Sequence, residues 1–392
     1  KGMFIHYNDY AVHTGGFQMK ESVWTDEEGK TETVQNLIEK LFSYAMTIGV
    51  SDIHAEPLDE TFRIRCRRDG VLQSVGAIRK EKGKAFINRL KVIAALDIAD
   101  ARRPQDGRIV YKEGIDMRLS TMPTVRGEKA VIRILGGSRN LPDLDGLGMD
   151  KRAVSLIRRS LRDAKGLIII CGPTGSGKTT TLYSALREID KESVSIATLE
   201  DPVEYKIDGL SQSQIGKKGG IAFHEGLRAL LRQDPDVLVI GEIRDNETAA
   251  IAVRAALTGH LVFSTIHTNS AIDSIDRIVG VFPEDKQPQI RMQLSMTLRA
   301  VLSQQLVPRA GGQGRAAACE LMMLTPAIRN LIRDGKTPQM QSYLLSSAKE
   351  GSITMDNFLI RMAKEGVITP QTAVDASQDP QELREKLAAV QY

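Results

Sequence analysis

The sequence is poor in the residues that build disulfide frameworks, zinc sites and aromatic platforms for nucleic acids. Its 392 residues include three cysteines, Cys66, Cys171 and Cys319. Because they lie far apart, they predict neither a disulfide-stapled domain nor a zinc site, and they suit a reducing cytoplasm. Aromatic residues make up 5% of the chain, and no basic stripe with interleaved aromatics occurs. Nucleic acid is therefore disfavoured as a partner.

Long apolar runs are missing as well. No apolar stretch approaches the ~18 residues that a membrane-spanning helix needs, and no signal-peptide pattern is visible at the start. Residue 1 is a lysine rather than a methionine, which leaves open both a complete chain and one that lacks N-terminal sequence. The net charge of +4 is spread along the chain. A solvated basic surface explains this charge more simply than an acidic partner does.

The length and a change of pattern predict two domains. In the first part, helices are predicted over residues 31–49 and 82–98, and strands over 62–67, 71–75, 116–122 and 129–135. Asp69 and Gly70 form a hairpin signal between two of these strands. We therefore predict a smaller N-terminal α+β domain over residues 1–135. The glycine-rich segment that follows predicts a linker over residues 136–147.

The second part of the chain follows a different pattern. Apolar runs at residues 167–171, 194–199, 237–240 and 261–265 alternate with helical patterns. Short buried strands that alternate with helices are typical of a parallel α/β sheet. This predicts an α/β domain over residues 148–392. Beyond Leu324 the pattern is helical, with helices predicted over residues 326–333, 338–348, 354–365 and 370–390.

The most informative segment is a phosphate-binding loop at residues 172–179. It follows the apolar run 167–171 and precedes a predicted helix over residues 180–189, which is the context that the motif requires. Its glycines allow backbone N–H groups to surround phosphate oxygens. A glycine-rich surface turn is the alternative. The predicted nucleotide-binding residues are Gly172, Pro173, Thr174, Gly175, Ser176, Gly177, Lys178, Thr179 and Thr180. Lys178 would reach the β- and γ-phosphates, and the Thr179 hydroxyl would ligate Mg²⁺.

Acidic residues follow two of the predicted buried strands. Gly241 and Glu242 follow residues 237–240, where a second Mg²⁺-site acid belongs, acting directly or through water; the alternative for Glu242 is a simple ion pair with Arg244. Residues 198–204 place three carboxylates, the last of them Glu204, after another apolar run. Carboxylates at the carboxyl edge of a parallel sheet face the ligand crevice. One of them could polarise the attacking water, although an acidic loop is often only solvated.

Two histidines bracket the apolar run at residues 261–265. In a fully regular strand, His260 and His267 would point to opposite faces because their spacing is odd. We expect instead that one lies at each end of the strand. A histidine at the carboxyl end could contact a γ-phosphate and report its presence, whereas a lone histidine is more often structural.

These segments together resemble a known family. In order along the chain they are similar to the Walker A, Asp-box, Walker B and His-box signatures of the type II secretion and type IV pilus motor ATPases. The four segments are residues 172–179, 198–204, 241–245 and 258–271. Upstream, residues 51–57 and 103–108 also resemble that family's N-terminal domain. The likeness runs from about residue 34 to residue 336, and four ordered boxes are far more specific than one phosphate loop.

The resemblance implies a fold, an assembly and a location. It implies a RecA-like phosphate-loop NTPase domain behind a smaller PAS-like α+β domain, with ATP between the two domains of one subunit. It also implies a homohexameric ATP hydrolase in the cytoplasm, peripheral to the inner membrane, that works with the platform protein of a pilus or secretion machine. ATP and Mg²⁺ are the implied ligands.

The resemblance also implies roles for single residues. Glu204 is implied as the general base or water-positioning group, and Glu242 as the Walker B acid. His267 is a candidate γ-phosphate sensor, with His260 a weaker one. Arg118 and Arg133 stand where the family has paired arginines that neutralise transition-state charge. Independently of the family, a guanidinium beside a transferring phosphoryl group stabilises the charge on its oxygens. The alternative for both arginines is a solvated strand face.

Two segments depart from a single family pattern. Assembly members often carry a four-cysteine zinc element after the His box, whereas residues 306–312 contain no cysteine. We therefore predict no structural zinc. Residues 326–336 resemble a helix of the retraction members, with Arg329 and Arg333 on one face and apolar residues on the other. The longer match in the N-terminal domain favours assembly.

Several functions stay open at this stage. The leading hypothesis is an ATPase that drives pilus assembly or type II-like protein secretion. A retraction motor, or a motor of type IV secretion or DNA uptake, is the alternative within the superfamily. A nucleotide-gated binding module would need neither Glu204 nor Glu242. A nucleic-acid helicase would require binding or stimulation by single-stranded DNA.

Overall fold

The computed structural model describes residues 33–112, 115–135, 141–149, 151–162, 165–215, 222–312 and 314–390. The chain divides into two compact units, residues 1–139 and residues 140–392. Residues 1–30 and the start of the predicted linker, residues 136–140, lie outside the described ranges. Among the described residues, no helix combines the length and the apolarity that crossing a membrane requires.

The described part of the first unit is an antiparallel sheet with two helices. Its elements in chain order are α1 (Val34–Thr47), β1 (Asp52–Pro57), β2 (Thr61–Arg68), β3 (Val71–Arg79), α2 (Lys80–Ile93), β4 (Gln105–Lys112), β5 (Ile115–Thr124) and β6 (Gly127–Leu135). The strands lie in the order β3-β2-β1-β6-β5-β4. The expected turn between β2 and β3 has both Asp69 and Gly70 at positive φ, as a two-residue hairpin requires.

The helices of the first unit begin and end for local reasons. Thr33 caps α1, because its side chain accepts a hydrogen bond from the backbone N–H of Asn36. The prediction that the second helix extends to residue 98 is wrong: α2 ends at Ile93. Ala95 follows it with a φ of 54°, and this left-handed conformation ends a helix even without glycine.

The two faces of this sheet differ in character. Side chains on one face pack with those of α1 and α2 into one buried apolar cluster, to which β1 contributes Ile53 and Ala55. Because side chains alternate along a strand, Asp52, His54 and Glu56 lie on the opposite face. That second face therefore carries polar and charged side chains.

The second unit contains a mostly parallel sheet with helices. Its elements are α3 (Lys151–Arg162), β7 (Gly166–Cys171), α4 (Lys178–Arg187), β8 (Ile196–Glu200), β9 (Ser211–Gln214), α5 (Phe223–Leu230), β10 (Val237–Ile240), α6 (Asn246–Leu257), β11 (Leu261–Ile266), α7 (Ala271–Gly280), α8 (Gln287–Thr297), β12 (Leu298–Pro308), β13 (Arg315–Met323), α9 (Pro326–Arg333), α10 (Met340–Ser346), α11 (Met355–Lys364), α12 (Pro370–Ala376) and α13 (Pro380–Val390). The strand order is β13-β12-β7-β11-β10-β8-β9.

The central strands of this sheet are buried on both faces. Every residue of β7, β10 and β11 is buried, and two large apolar clusters contain the side chains of their two faces. All pairings are parallel except that of β12 with β13. The carboxyl ends of β7, β8, β10 and β11 therefore meet at one edge, where the loops with the predicted site residues begin.

Candidate functional site

The phosphate-binding loop is built against β12. Gly172 has a φ of 144°, and a Cβ atom there would lie 2.1 Å from the backbone oxygen of Gln304. Gly177 has a φ of 88°, and a Cβ atom there would lie 2.9 Å from Gln304 Nε2. Both positions therefore require glycine for space and for conformation. α4 begins at Lys178, so its positive end points into the loop.

Lys178 is buried within this loop. Its Nζ donates hydrogen bonds to the backbone oxygens of Gly172 at 2.7 Å and of Pro173 at 3.0 Å. Burial lowers the pKa of the Lys178 ammonium, while the charges of Cys171, Glu242 and Glu204 act in the opposite direction. The ammonium is thus held by neutral acceptors at the position where a phosphate-loop lysine meets phosphate oxygens.

His267 lies between Lys178 and Glu242. Its Nδ1 is 3.5 Å from Lys178 Nζ, and its Nε2 is 3.5 Å from Glu242 Oε2. Lysine can only donate, so Nδ1 is the acceptor and Nε2 carries the ring proton toward the carboxylate. Burial and then the charge of Lys178 lower the pKa of the His267 imidazole, although Glu242 opposes them. The neutral form is therefore favoured at pH 7.

Glu242 lies directly beyond the end of β10, with 21% of its side chain exposed. It forms an ion pair with Arg244, which is the contact that the simpler alternative predicted. The other oxygen of this carboxylate faces His267. Glu242 therefore stays next to the group that contacts Lys178, even though it is paired with Arg244. The structure brings together Lys178, His267 and Glu242, from three loops at one edge of the sheet.

Glu204 lies in the exposed loop after β8, and its charge acts on Lys178. Its neighbour Glu200 is buried and receives hydrogen bonds from Thr198 Oγ1 at 2.6 Å and from the Tyr183 hydroxyl. Burial raises the pKa of the Glu200 carboxyl, although these hydrogen bonds oppose that effect. Glu200 therefore serves to anchor the loop that carries Glu204.

Gln304 is a site residue that the sequence did not reveal. It is 2% exposed, and its Oε1 accepts a hydrogen bond of 2.7 Å from Thr181 Oγ1 on α4. Together with the contacts at Gly172 and Gly177, this bond fixes the phosphate loop to β12. No local pattern marks residues 298–308 as part of the site, because β12 reaches β7 only through the tertiary fold.

The segment after His267 is held by buried polar groups. Ser303 Oγ donates to the backbone oxygen of Asn269 at 3.0 Å. Glu320, which is 1% exposed, accepts from the backbone N–H of Ala271 at 2.7 Å and of Met355 at 3.3 Å. Burial raises the pKa of the Glu320 carboxyl. The position of the His267 loop therefore depends on β12, on β13 and on α11.

The second histidine lies at the other end of β11. His260 precedes the strand, and its Nδ1 is 3.0 Å from the backbone oxygen of Ala255 and 3.2 Å from Thr258 Oγ1. The expectation of one histidine at each end of the strand is confirmed. Since His260 lies at the amino end of a parallel strand, it is placed away from the edge that carries Lys178. Its contacts give it a structural role at the end of α6.

Arg118 and Arg133 belong to the first unit. They are direct cross-strand partners on β5 and β6, so both lie on the face of the sheet opposite α1 and α2. Arg133 Nε donates to Asp52 Oδ1 at 2.8 Å, and 62% of its side chain is exposed. Their strands are neighbours in the sheet, whereas the role of the two arginines in catalysis stays a prediction.

The residues of the loop fit a nucleotide phosphate and Mg²⁺. Ser176 is 2% exposed, and no hydrogen-bond partner for its Oγ lies among the described residues; a phosphate oxygen would satisfy it. The half-buried Thr179 follows Lys178 at the start of α4, where its hydroxyl would hold Mg²⁺ with Glu242. Within the described ranges, no group of three or more His, Cys, Asp or Glu side chains could hold a metal ion. The absence of zinc stays a prediction.

A match to a known protein family identifies the family of the chain. Residues 27–369 match the family model described as "Type II/IV secretion system protein". The chain belongs to this family.

Individual members of the family show the same relationship. The chain is 42% identical over 319 residues to type II secretion system protein E of Pseudomonas aeruginosa, covering 79% of this chain and 62% of that protein. It is 41% identical over 297 residues to the type IV pilus assembly ATPase PilB of Thermus thermophilus, covering 74% of this chain and 32% of that protein. The chain thus spans less than two thirds of the length of these relatives.

A solved structure of the family confirms the fold class. The chain resembles the crystal structure of the pilus retraction motor PilT with bound ADP, with a TM-score of 0.71 and 35% identity. The likeness covers 89% of this chain and 99% of that one. The predicted α/β fold, in which a RecA-like domain follows a smaller α+β domain along the chain, is therefore correct.

Proposed function

We propose that this chain is a Mg²⁺-dependent ATPase that powers type IV pilus assembly or type II-like protein secretion. It works as a homohexamer in the cytoplasm, peripheral to the inner membrane, and transmits its movement to the platform protein of the machine. Four ordered motifs and membership of the family support this proposal. The names of the relatives include both type II secretion proteins and a pilus assembly ATPase.

One observation carries the proposal. His267 lies 3.5 Å from Lys178 Nζ and 3.5 Å from Glu242 Oε2, so it joins the phosphate loop to the Walker B acid. A structural histidine would be satisfied by its own loop, as His260 is by Ala255 and Thr258. A side chain in contact with both groups can respond to the γ-phosphate through either of them, because it has one acceptor and one donor nitrogen.

Each residue of this site has a distinct task in phosphoryl transfer. The backbone N–H groups of the loop and the first turn of α4 bind the phosphates. Lys178 exchanges its two carbonyl partners for phosphate oxygens. Glu204 orients the attacking water and accepts its proton as the bond to the leaving oxygen breaks. Thr179 and Glu242 would hold Mg²⁺, which neutralises phosphate charge when bound.

Arg118 and Arg133 supply the remaining positive charge. Two adjacent guanidinium groups on one sheet face suit the equatorial oxygens of a transferring phosphoryl group. If they reach the nucleotide only in one arrangement of the two domains, hydrolysis is coupled to domain movement. A ring of such subunits can convert ATP turnover into displacement of a bound partner.

The ATPase assay tests the proposal directly. Turnover of the parent chain is compared with that of Glu204→Gln and Lys178→Ala, and nucleotide affinity is measured for all three. We expect Glu204→Gln to bind ATP but to turn over at least about a hundredfold more slowly. Lys178→Ala should lose both affinity and turnover. A parent chain no faster than either variant would rule out the motor and leave a nucleotide-gated binding module.

A retraction motor is the second candidate, favoured by the likeness to PilT and by residues 326–336. In that segment, however, Arg329 has a local task. Its Nη1 donates to the backbone oxygen of Ser295 at 2.5 Å, and its Nε donates to that of Leu324 at 3.1 Å. Arg329 thus caps the C-terminal end of α8. The fold thus accounts for Arg329, and this residue does not by itself indicate retraction.

Deletion of the gene in its own host separates the two candidates. Loss of surface pili or of secreted proteins supports assembly or secretion, whereas an excess of surface pili supports retraction. The gene neighbourhood gives a second test, because pilin and platform genes without a second motor gene indicate assembly.

A further inference from the structure

The motif at residues 51–57 has no task in the mechanism above. It forms β1, a central strand of the first sheet, and its polar residues lie on the same face as Arg118 and Arg133. Asp52 and Glu56 are 5% and 7% exposed, which is unusual for carboxylates unless they are paired. The guanidinium and ammonium groups around them explain this burial.

A row of four arginines crosses this face of the sheet. Cross-strand register places Arg67, Asp52, Arg133, Arg118 and Arg108 side by side on β2, β1, β6, β5 and β4. Like charges directly opposite each other destabilise a sheet. Asp52 is the acid of this row, and it lies between two of the arginines.

Asp52 holds Arg133 in a defined orientation. Arg133 Nε donates to Asp52 Oδ1 at 2.8 Å, while Arg67 Nε is 3.7 Å from Asp52 Oδ2. Ser51 Oγ donates to the same Oδ2 at 2.9 Å, so both carboxylate oxygens are fixed. The bond to Arg133 uses Nε, and the terminal Nη groups, which bind phosphate oxygens best in pairs, are not used by it.

We propose that Asp52 is a positioning residue for Arg133. The buried carboxylate holds the exposed guanidinium on the face that carries Arg118, and it lowers the repulsion between the two arginines. The arginine then meets the transition state already oriented, without first losing the rotamer entropy of a long side chain. This inference rests on the proposed catalytic role of Arg133, while the contact itself lies within the first unit.

Glu56 provides a matched control. It lies four residues further along β1 on the same face, and it is nearly as buried as Asp52. Its Oε1 accepts from Arg65 Nη2 at 2.7 Å and from Lys129 Nζ at 3.0 Å, and its Oε2 accepts from Arg63 Nη2 at 3.0 Å. None of these three cations has a proposed role in catalysis. Loss of Glu56 therefore tests whether any buried acid of this face affects turnover.

The test compares Asp52→Asn, Glu56→Gln, Arg133→Ala and the Asp52→Asn/Arg133→Ala double variant in the full chain. Steady-state kinetics give kcat and KM for ATP, and thermal unfolding gives stability. We expect Asp52→Asn to lower kcat by about 10-fold to 100-fold with KM changed less than about threefold. Glu56→Gln should keep kcat within about twofold even though it lowers the melting temperature.

Two coupling measurements complete the test. The double variant should turn over no more slowly than Arg133→Ala alone, because Asp52 acts only through Arg133. The loss in melting temperature of the double variant should likewise be smaller than the sum of the two single losses. This measurement detects the ion pair between Asp52 and Arg133 without any ATP. Full kcat in folded Asp52→Asn, an equal loss in Glu56→Gln, or multiplicative losses in the double variant would each overturn the proposal.

Ser51→Ala covers the case in which Asp52→Asn does not fold. It removes one hydrogen bond from the carboxylate and should lower kcat by about twofold to fivefold at constant KM; an unchanged kcat would then refute the proposal. The proposed catalytic role of Arg133 has its own test. Full turnover in Arg133→Ala would show that the arginine takes no part in catalysis, whatever the turnover of Asp52→Asn. An inactive Arg133→Ala beside a fully active Asp52→Asn refutes the positioning role alone.

Discussion

The two units of the chain hold the cations of the proposed site in opposite ways. In the second unit, Lys178 is 8% exposed and is held by two backbone carbonyls. In the first unit, Arg133 is 62% exposed and is held by a buried carboxylate. Among the described residues, the lysine is enclosed by its own loop, whereas most of the arginine side chain is exposed on a sheet face.

Under the proposed function, the difference reflects what each cation must do when ATP arrives. Neutral carbonyls are weak competitors, so Lys178 can leave them for a phosphate oxygen at little cost. A carboxylate is a stronger partner, and it keeps Arg133 in place before a phosphate is near. The contrast predicts that loss of Lys178 affects binding and turnover, whereas loss of the arginines affects turnover alone.

The arginine variants test this contrast with the largest expected effect. Arg118→Ala and Arg133→Ala should each keep the Kd for ATP within about threefold while kcat falls by about 10³-fold, because an arginine finger stabilises mainly the transition state. Nucleotide titration and single-turnover hydrolysis measure the two quantities. Full turnover in both variants would remove the arginines from the site and end the comparison.

Gln304 tests how far the phosphate loop depends on its support. Gln304→Ala removes the bond to Thr181 and opens space beside Gly177, so kcat/KM should fall by about 10-fold to 100-fold. Gln305→Ala is the matched control, since that side chain donates to the backbone oxygen of Ala376 at 2.8 Å. Equal losses in the two variants would mean that general destabilisation, rather than loop geometry, is responsible.

Acid should weaken the first unit through Glu56. Burial alone raises the pKa of the Glu56 carboxyl, but the hydrogen bonds from Arg65, Lys129 and Arg63 outweigh it and lower the pKa from 4.5 to about 2. A depressed carboxyl pKa stabilises the fold above pH 4.5 and loses that stabilisation as the pH falls toward 2. The loss between pH 5.5 and pH 3 is about 2 kcal/mol.

The second unit should show the opposite contribution from its buried acids. The pKa values of the Glu200 and Glu320 carboxyls are raised from 4.5, first by burial. The stabilisation by these two acids is complete below pH 4.5 and is lost as the pH rises through the folded-state pKa.

Calorimetry at pH 5.5 and pH 3 tests the Glu56 prediction. The first unit should lose less stability between these pH values in Glu56→Gln than in the parent chain. An unchanged acid effect in this variant would remove Glu56 as its cause.

The smallest effect on ATP turnover concerns an arginine with a structural role. Burial, and then the charge of Arg299, lower the pKa of the Arg329 guanidinium, and its bonds all go to backbone oxygens. Arg329→Gln should lower the free energy of unfolding by about 1–3 kcal/mol with ATP turnover within twofold of the parent. Arg333→Gln, one turn later on α9 and half exposed, should change it by less than about 1 kcal/mol. A large loss of turnover in Arg329→Gln would instead connect this helix to the motor.

Much of the second unit could be predicted from the sequence because its signals are local. The apolar runs of β7, β10 and β11 predict buried strands. The glycines and Lys178 of the loop at residues 172–179 predict a phosphate ligand. Strands β9, β12 and β13 were not predicted. β12 forms because it pairs with β7, and β13 forms because it pairs with β12; no local pattern indicates either pairing.

Less of the candidate site could be predicted than of the fold. The sequence identified Lys178, Glu242 and His267 one at a time, and the structure adds that His267 touches both of the others. Gln304 was missed because a lone glutamine has no signature. The partner of Arg133 was missed because 81 residues separate it from Asp52, although both lie in segments that the sequence singled out.

Elements whose causes lie within a few residues could be predicted from the sequence: the phosphate loop, the hairpin at Asp69 and Gly70, and the α1 helix, which Thr33 caps. Only the tertiary fold pairs Asp52 with Arg133 and brings His267 to both Lys178 and Glu242. Backbone conformation depends on neighbouring residues in the chain, whereas ion pairs across strands depend on register. Register is fixed only when a whole sheet buries its apolar face.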